Sequence, residues 1–278
     1  MQHDILLVDS IQAAIAAGKA VLDVYQSDFE VETKADNSPL TLADRQSHTI
    51  IQSYLSRHGI PVISEEGRGI PYQERKQWDT IWVVDPLDGT KEFVKRNGEF
   101  TVNIALIRDA HPVLGVVYAP VPDVLYFASR KIGAYKAIKA VQWVCSLRDQ
   151  RNSPEQWLNA ALPGARKLPD DQRRPRPYTI VGSRSHGGSE LSAFVERKRV
   201  QKGSLEFIQA GSSLKICLVA EGTADIYPRL GPTMEWDTAA GQAVAECAGA
   251  DVYAYESRVR LHYNKEDLLN PWFVVERA

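Results

Sequence analysis

Cysteine is scarce in this chain: Cys145, Cys217 and Cys247 are three of 278 residues, they lie far apart, and no two form a Cys-x-x-Cys pair. That spacing excludes a thiolate zinc site and supplies no disulfide framework, so a reducing compartment is expected. Neither sign of charge is in excess, because 33 Lys and Arg face 35 Asp and Glu for a formal net charge of −2. The near balance excludes the broad basic surface of a nucleic-acid binder. The first residues carry Asp4 and Asp9 where a signal peptide would carry Lys or Arg. No apolar run approaches the roughly 18 residues of a spanning helix. A cytoplasmic protein without a transmembrane segment is therefore expected. Internal repeats and low-complexity tracts are also missing. Apolar material is plentiful: 44% of the residues are hydrophobic, enough for a large core, and the length allows one large domain or two packed halves.

Leu7, Ile11, Ala14, Gly18, Leu22 and Tyr25 recur at steps of three and four and predict an amphipathic helix. A second helix is expected from near Thr41, with Ala43, Ser47, Ile50, Ile51, Tyr54 and Leu55 on one face and Gly59 ending it. A short strand at 61–64 and further strands at 81–84, 101–107, 113–118 and 124–127, joined by short turns, suggest an antiparallel sheet. Between 148 and 178 the chain is rich in Pro, Arg, Asp and Asn without apolar periodicity, and reads as an exposed connection or insertion. The boundary between halves is placed just before it, giving an N-terminal half over 1–145 and a C-terminal half over 146–278. Strands at 178–182 and 224–228 and helices at 215–220 and 238–247 are expected beyond.

The chemistry concentrates in Trp82-Val-Val-Asp85-Pro-Leu-Asp88-Gly-Thr90, where a buried strand runs into two carboxylates. Pro86 fixes the backbone between them, Gly89 permits a close approach, and the Leu87 carbonyl can turn toward the same point. Hard divalent cations take such an oxygen-only set. Taken alone, the segment is equally a turn with Asp88 capping the next helix. Glu65-Glu66 ends another predicted strand and can be a solvated loop, and Asp237 before Thr-Ala-Ala suits a helix N-cap. Asp44 suits the third position of a capping box opened by Thr41. Ser212 and Lys215 lie three apart at a predicted helix start, and Arg229 ends the following strand, so these donors could converge on a phosphate or stand as ordinary surface groups.

The combination is more specific than its parts. Ser64-Glu-Glu66, Asp85-Pro-Leu-Asp-Gly-Thr90 and Trp236-Asp-Thr-Ala-Ala-Gly241, in this order, resemble the magnesium-dependent, lithium-sensitive inositol monophosphatase superfamily. Lys91-Glu-Phe93, Asn97-Gly-Glu-Phe-Thr-Val-Asn103, Gly211-Ser-Ser-Leu-Lys215 and Tyr227-Pro-Arg229 are similar to its bacterial 3′(2′),5′-bisphosphate nucleotidase branch. The resemblance runs from about residue 34 to 270. It implies an α/β fold with an α+β N-terminal half, layered as the αβαβα sandwich of the inositol monophosphatase and fructose-1,6-bisphosphatase type.

The same resemblance implies two or three Mg2+ ions held by Glu65, Asp85, the Leu87 carbonyl, Asp88 and Asp237. It implies that Asp44 and Thr90 orient and deprotonate the attacking water. Substrate contacts would come from the metal-site residues Glu65, Leu87, Asp88 and Asp237, from Gly89 and Thr90, and from Ser212, Lys215, Arg229 and His186, the last in Ser183-Arg-Ser-His186. The bare reading of His186 is a solvent-facing loop histidine. The reaction implied is removal of the 3′-phosphate of adenosine 3′,5′-bisphosphate, a by-product of sulfate assimilation, with 3′-phosphoadenylyl sulfate as a further substrate. The partner is thus a small-molecule nucleotide bisphosphate and no nucleic acid, with room for a peripheral contact at the inner face of the cell membrane. An inositol or sugar phosphate phosphatase, or a non-catalytic regulatory protein on the same fold, stands as the alternative. Ser64 replaces the glycine that many superfamily members place before the paired acids.

Overall fold

In the computed structural model, which describes residues 2–27, 31–33, 39–67, 69–147, 153–170, 176–183 and 188–277, the opening apolar stripe forms α1 (Gln2–Tyr25). Its inward face buries Leu7, Ile11, Ala14 and Val21. By length and mean hydropathy (1.7 over its most apolar window) this helix would also qualify as a membrane span, contrary to the expectation that no such run exists, but 67% of that stretch is buried inside the protein. A hairpin of β1 (Val31–Thr33) and β2 (Pro39–Thr41) leads into α2 (Leu42–Leu55), which packs along α1 and buries Ala43, Asp44, Ser47, Ile51 and Leu55. Gly59, at φ +64°, closes the one-turn 3₁₀ helix that follows.

The chain continues through β3 (Val62–Ser64), α3 (Tyr72–Arg75), β4 (Thr80–Asp88), α4 (Thr90–Val94), β5 (Thr101–Arg108), β6 (His111–Ala119), β7 (Val124–Ser129), β8 (Gly133–Ile138) and α5 (Ala140–Ser146). Next come α6 (Pro154–Ala161), β9 (Arg166–Leu168), β10 (Tyr178–Ser183), α7 (Ser189–Lys202), β11 (Leu205–Ala210), α8 (Leu214–Glu221), β12 (Ile226–Arg229), α9 (Glu235–Cys247), β13 (Ala250–Ala254) and β14 (Phe273–Arg277). One sheet has the order β3-β4-β5-β6-β7-β8-β9 and is antiparallel except for the β3–β4 pair. The other has the order β11-β10-β12-β14-β13, parallel over its first three strands and antiparallel beyond.

Side-chain alternation assigns the layers. Trp82 and Val84 of β4, with Val102, Ile104 and Leu106 of β5, pack against Leu7 and Ile11 of α1 and Ile51 of α2. Ile81, Val83, Ala105 and Ile107 face the other way, onto Val219 and Ala220 of α8 and Ala239, Ala240 and Val244 of α9. The same core takes in Val181, Val252 and Val275 from the second sheet, whose opposite face carries Ile180, Ile226 and Val274 against Phe194 of α7. The result is the αβαβα stack that the sequence resemblance implies.

The stretch read as an exposed connection contains structure. Ser153 opens α6 with a capping box: its Oγ accepts from the Gln156 N–H, the Gln156 side chain accepts from the Ser153 N–H, and Pro154 takes the first helical position. Trp157, Leu158 and Ala161 of α6 are buried in the α1 core, and β9 pairs with β8. Both elements lie beyond residue 145 and belong to the first sheet and its helical cover.

Helix α9 lies unusually close to the first sheet at Gly115 of β6. A Cβ there would come within 2.4 Å of the Ala240 carbonyl oxygen and 2.6 Å of the Ala243 Cβ. Backbone cannot yield as a flexible side chain can, so Gly115→Ala should lower the unfolding free energy by about 1–3 kcal/mol through overpacking. Urea denaturation in the presence of chelator measures it, and an unchanged midpoint would contradict this packing.

Candidate active site

In a regular strand, residues three apart point to opposite faces, so Asp85 and Asp88 of β4 should diverge. The ladder with β5 prevents this. Asp85 pairs with Asn103 and Asp88 with Thr101, so three steps on β4 match two on β5 and the extra residue forms a bulge. The Leu87 N–H donates to Asp85 Oδ1 at 3.0 Å, tightening the turn, while the Leu87 side chain is buried among Val21, Ala43, Phe93 and Phe100. The Leu87 carbonyl lies 3.4 Å from Thr90 Oγ1. Gly89, between Asp88 and α4, has φ +92°, and a Cβ there would lie 2.2 Å from Ser212 Oγ, so only glycine fits.

Helix α9 brings the third carboxylate. It begins at Glu235, so Asp237 is its third residue and not the N-cap, and its Oδ2 accepts from the Met234 N–H at 2.9 Å. Glu235 is fully buried, accepts from the backbone N–H groups of Asn264 and Lys265 and pairs with Lys265 Nζ at 2.6 Å, which braces this first turn. Oxygens of Asp85, Asp88 and Asp237 lie within 4.8 Å of one another. Asp44, the third residue of α2 and fully buried, and Glu65, the first residue of the 3₁₀ turn after β3, add their negative charge to the surroundings of Asp85.

A cavity of about 240 Å³ opens on this cluster and is also lined by Gly89, Thr90, Ser212, Lys215 and Arg229. The Ser212 hydroxyl lies 2.9 Å from the Asp88 carbonyl and 2.8 Å from that of Glu99, and Lys215 Nζ donates to the Ser212 carbonyl at 2.6 Å. Arg229 donates to Thr233 Oγ1 and the Pro232 carbonyl. His186 lies outside the described residues. Sequence reasoning gave no role to Ser213, Thr101 and Asn103, all of which reach Asp88 Oδ2. Asn103 could have been found only from its register opposite Asp85.

The electrostatics follow from this crowding. Burial pushes the Asp85 carboxyl well above its ordinary range, and Glu65, Asp88, Asp237 and Asp44 push it further. Burial, with Asp88 and Glu65, raises Asp237 from 3.8 to about 7. Burial lowers Lys215 to about 8 against the pull of Asp88, Glu92 and Asp237. Asp85 Oδ2 is buried and has no hydrogen-bond partner among the described residues. An orphaned oxygen in an all-oxygen cluster fits a hard divalent cation. The unfolded chain releases the Asp237 proton near 3.8 and the folded one only near 7, so the metal-free fold should lose stability as pH rises between these values. Thermal melting in chelator from pH 4 to 8 should show this fall, and added Mg2+ should raise the midpoint most above pH 7. A metal response that does not depend on pH would contradict it.

Known proteins resemble the chain over nearly its whole length. The 3′(2′),5′-bisphosphate nucleotidase CysQ of Escherichia coli strain K12 is 44% identical over 268 residues, which cover 95% of this chain and 96% of that protein. The protein of the same name from Buchnera aphidicola is 39% identical over 254 residues, 90% of this chain and 84% of the relative. The crystal structure of CysQ from Bacteroides thetaiotaomicron superposes with a TM-score of 0.86 at 47% identity, covering 98% of this chain and 96% of that one. With the inositol monophosphatase family model matching residues 3–276 and the carboxylate cluster formed as described, the chain belongs to the inositol monophosphatase family.

Proposed function

We propose that this protein is a magnesium-dependent phosphatase that removes the 3′-phosphate of adenosine 3′,5′-bisphosphate, leaving AMP and inorganic phosphate. The observation that carries the reading is a single cavity lined both by carboxylates of the cluster and by Lys215 and Arg229. Relatives named as 3′(2′),5′-bisphosphate nucleotidases, at 39–45% identity over most of the chain, support it. The three cysteines are free, which fits a cytoplasmic setting.

Glu65, Asp85, the Leu87 carbonyl, Asp88 and Asp237 would hold the magnesium, two or three ions in all. Bound magnesium supplies water of lowered pKa and screens the charge on the phosphoryl oxygens. The Thr90 hydroxyl can accept from the attacking water while it donates to Asp44, which fixes a lone pair toward phosphorus and gives the proton a destination. Gly89 lines the cavity at the start of α4, where its backbone can meet the ester. Ser212, Lys215, Arg229 and His186 would hold the second phosphate and the nucleotide. An inositol or sugar monophosphate has no second anionic group for Lys215 and Arg229 to pair with, which favours a bisphosphate. Every acidic position of the cluster is retained, which speaks against a non-catalytic role.

Phosphate release from adenosine 3′,5′-bisphosphate and from inositol 1-phosphate, each with and without Mg2+, tests the substrate and the metal together. The nucleotide should be turned over far faster and only with metal, and a preference for inositol phosphate would overturn the substrate assignment. Asp85→Asn should reduce metal-dependent turnover by at least about 100-fold while the protein stays folded by circular dichroism. Lys215→Met should raise KM for the bisphosphate by about 10- to 100-fold, the worth of a charge-assisted hydrogen bond, as read from initial rates.

A further inference from the structure

Ser213 occupies the N-cap position of α8, where a serine ordinarily turns its hydroxyl back to an amide of the first helical turn. Here it makes no such cap bond. Ser213 is 2% exposed, and its hydroxyl lies 2.8 Å from Asp88 Oδ2 and 2.7 Å from the Asp237 carbonyl oxygen, while Asn103 Nδ2 donates to it at 2.8 Å. Its backbone N–H donates to the same Asp88 Oδ2 at 2.7 Å. One side chain thus gives up a local helix cap and touches two segments that bring carboxylates to the cluster, the end of β4 and the first turn of α9.

We infer that Ser213 is a positioning residue of the metal site, which sets the orientation of Asp88 and ties it to the turn that carries Asp237. The inference rests on the metal-site reading given above. A hydroxyl has one hydrogen to donate. With the Asn103 amide filling one of its acceptor directions, that hydrogen lies between Asp88 Oδ2 and the Asp237 carbonyl. Among the described residues, every hydrogen bond to the Asp88 carboxylate ends on Oδ2: those of Ser213 at 2.7 and 2.8 Å and the longer approaches of Thr101 and Asn103 at 3.4 Å. This leaves Oδ1 as the oxygen Asp88 offers to a cation. Groups that orient a metal-binding carboxylate in this way commonly change metal affinity by 10–100-fold when removed. Ser213 differs in role from its neighbour Ser212, whose hydroxyl reaches the Asp88 and Glu99 carbonyls instead of a carboxylate.

The test compares wild-type protein with Ser213→Ala, which deletes the hydroxyl, and Ser213→Cys, which fills a similar volume with a weak donor. Calorimetric titration of the metal-free proteins with Mg2+ should show affinity weakened about 10-fold in both variants. The Mg2+ concentration for half-maximal turnover should rise in parallel, with substrate KM at saturating Mg2+ close to wild type. Melting in chelator reports packing separately. A folded variant that binds Mg2+ as the wild type does, whatever its melting temperature, overturns the inference, and if Ser213→Ala does not fold, Ser213→Cys decides it alone. Wild-type protein that takes up no Mg2+ would instead overturn the metal-site reading.

Discussion

Mutual repulsion among buried and half-buried carboxylates is the constraint around which this protein is arranged. Asp85 is packed into the end of β4 with the charges of Glu65, Asp88, Asp237 and Asp44 acting on it, and burial alone already disfavours its ionised form. Such a cluster raises the energy of the folded chain unless protons or cations are bound to it. The geometry that enforces it is local at β4, where one extra residue in the ladder turns two acids to the same side. It is long-range at α9, where Gly115 lets the helix lie against the sheet and the buried Glu235–Lys265 pair braces its first turn. Core packing supplies the energy that keeps the acids together.

The second sheet contributes the opposite sign. Lys215 at the start of α8 and Arg229 at the end of β12 line the cavity into which the acidic cluster opens, so an anion entering it meets cationic donors beside a place for metal. Lys215 lies over the Tyr227 ring, 5.6 Å from its centroid, and is itself nearly inaccessible. Burial of a cation beside uncompensated carboxylates is tolerable because each charge partly neutralises the other. The loop from Gly211 to Ser213 lies at the junction: a Cβ on Gly211 would strike the Glu99 carbonyl at 2.7 Å, and the next two residues both bond to Asp88.

Much of the site was legible because its chemistry is contiguous. Asp85, Leu87, Asp88, Gly89 and Thr90 fall in one run, and the expected strand before them is β4. Asp44 stands at the third helical position that its spacing from Thr41 suggested. Asn103, Thr101 and Ser213 were not legible, since a neutral polar residue acquires its role only from what pairing places opposite it. Helix α6 is hidden despite its Ser153-Pro-Glu-Gln156 signature, because the surrounding Pro and Arg read as a loop. Helix α7 left no stripe to read, as Phe194 is its one fully buried side chain, and the charged residues around it serve its solvent face.

The apolar character of α1 bears on how the chain reaches this state. Its buried face is covered most extensively by α2 and then by strands β5 and β6, which lie beyond residue 100. Until those strands have paired, a helix apolar enough to enter a bilayer has only α2 for shelter, and closing so long a loop carries an entropic cost before any contact is gained. The half-assembled chain is therefore the state in which this protein is most open to aggregation or to chaperone capture, and folding rate, more than final stability, governs how long that exposure lasts.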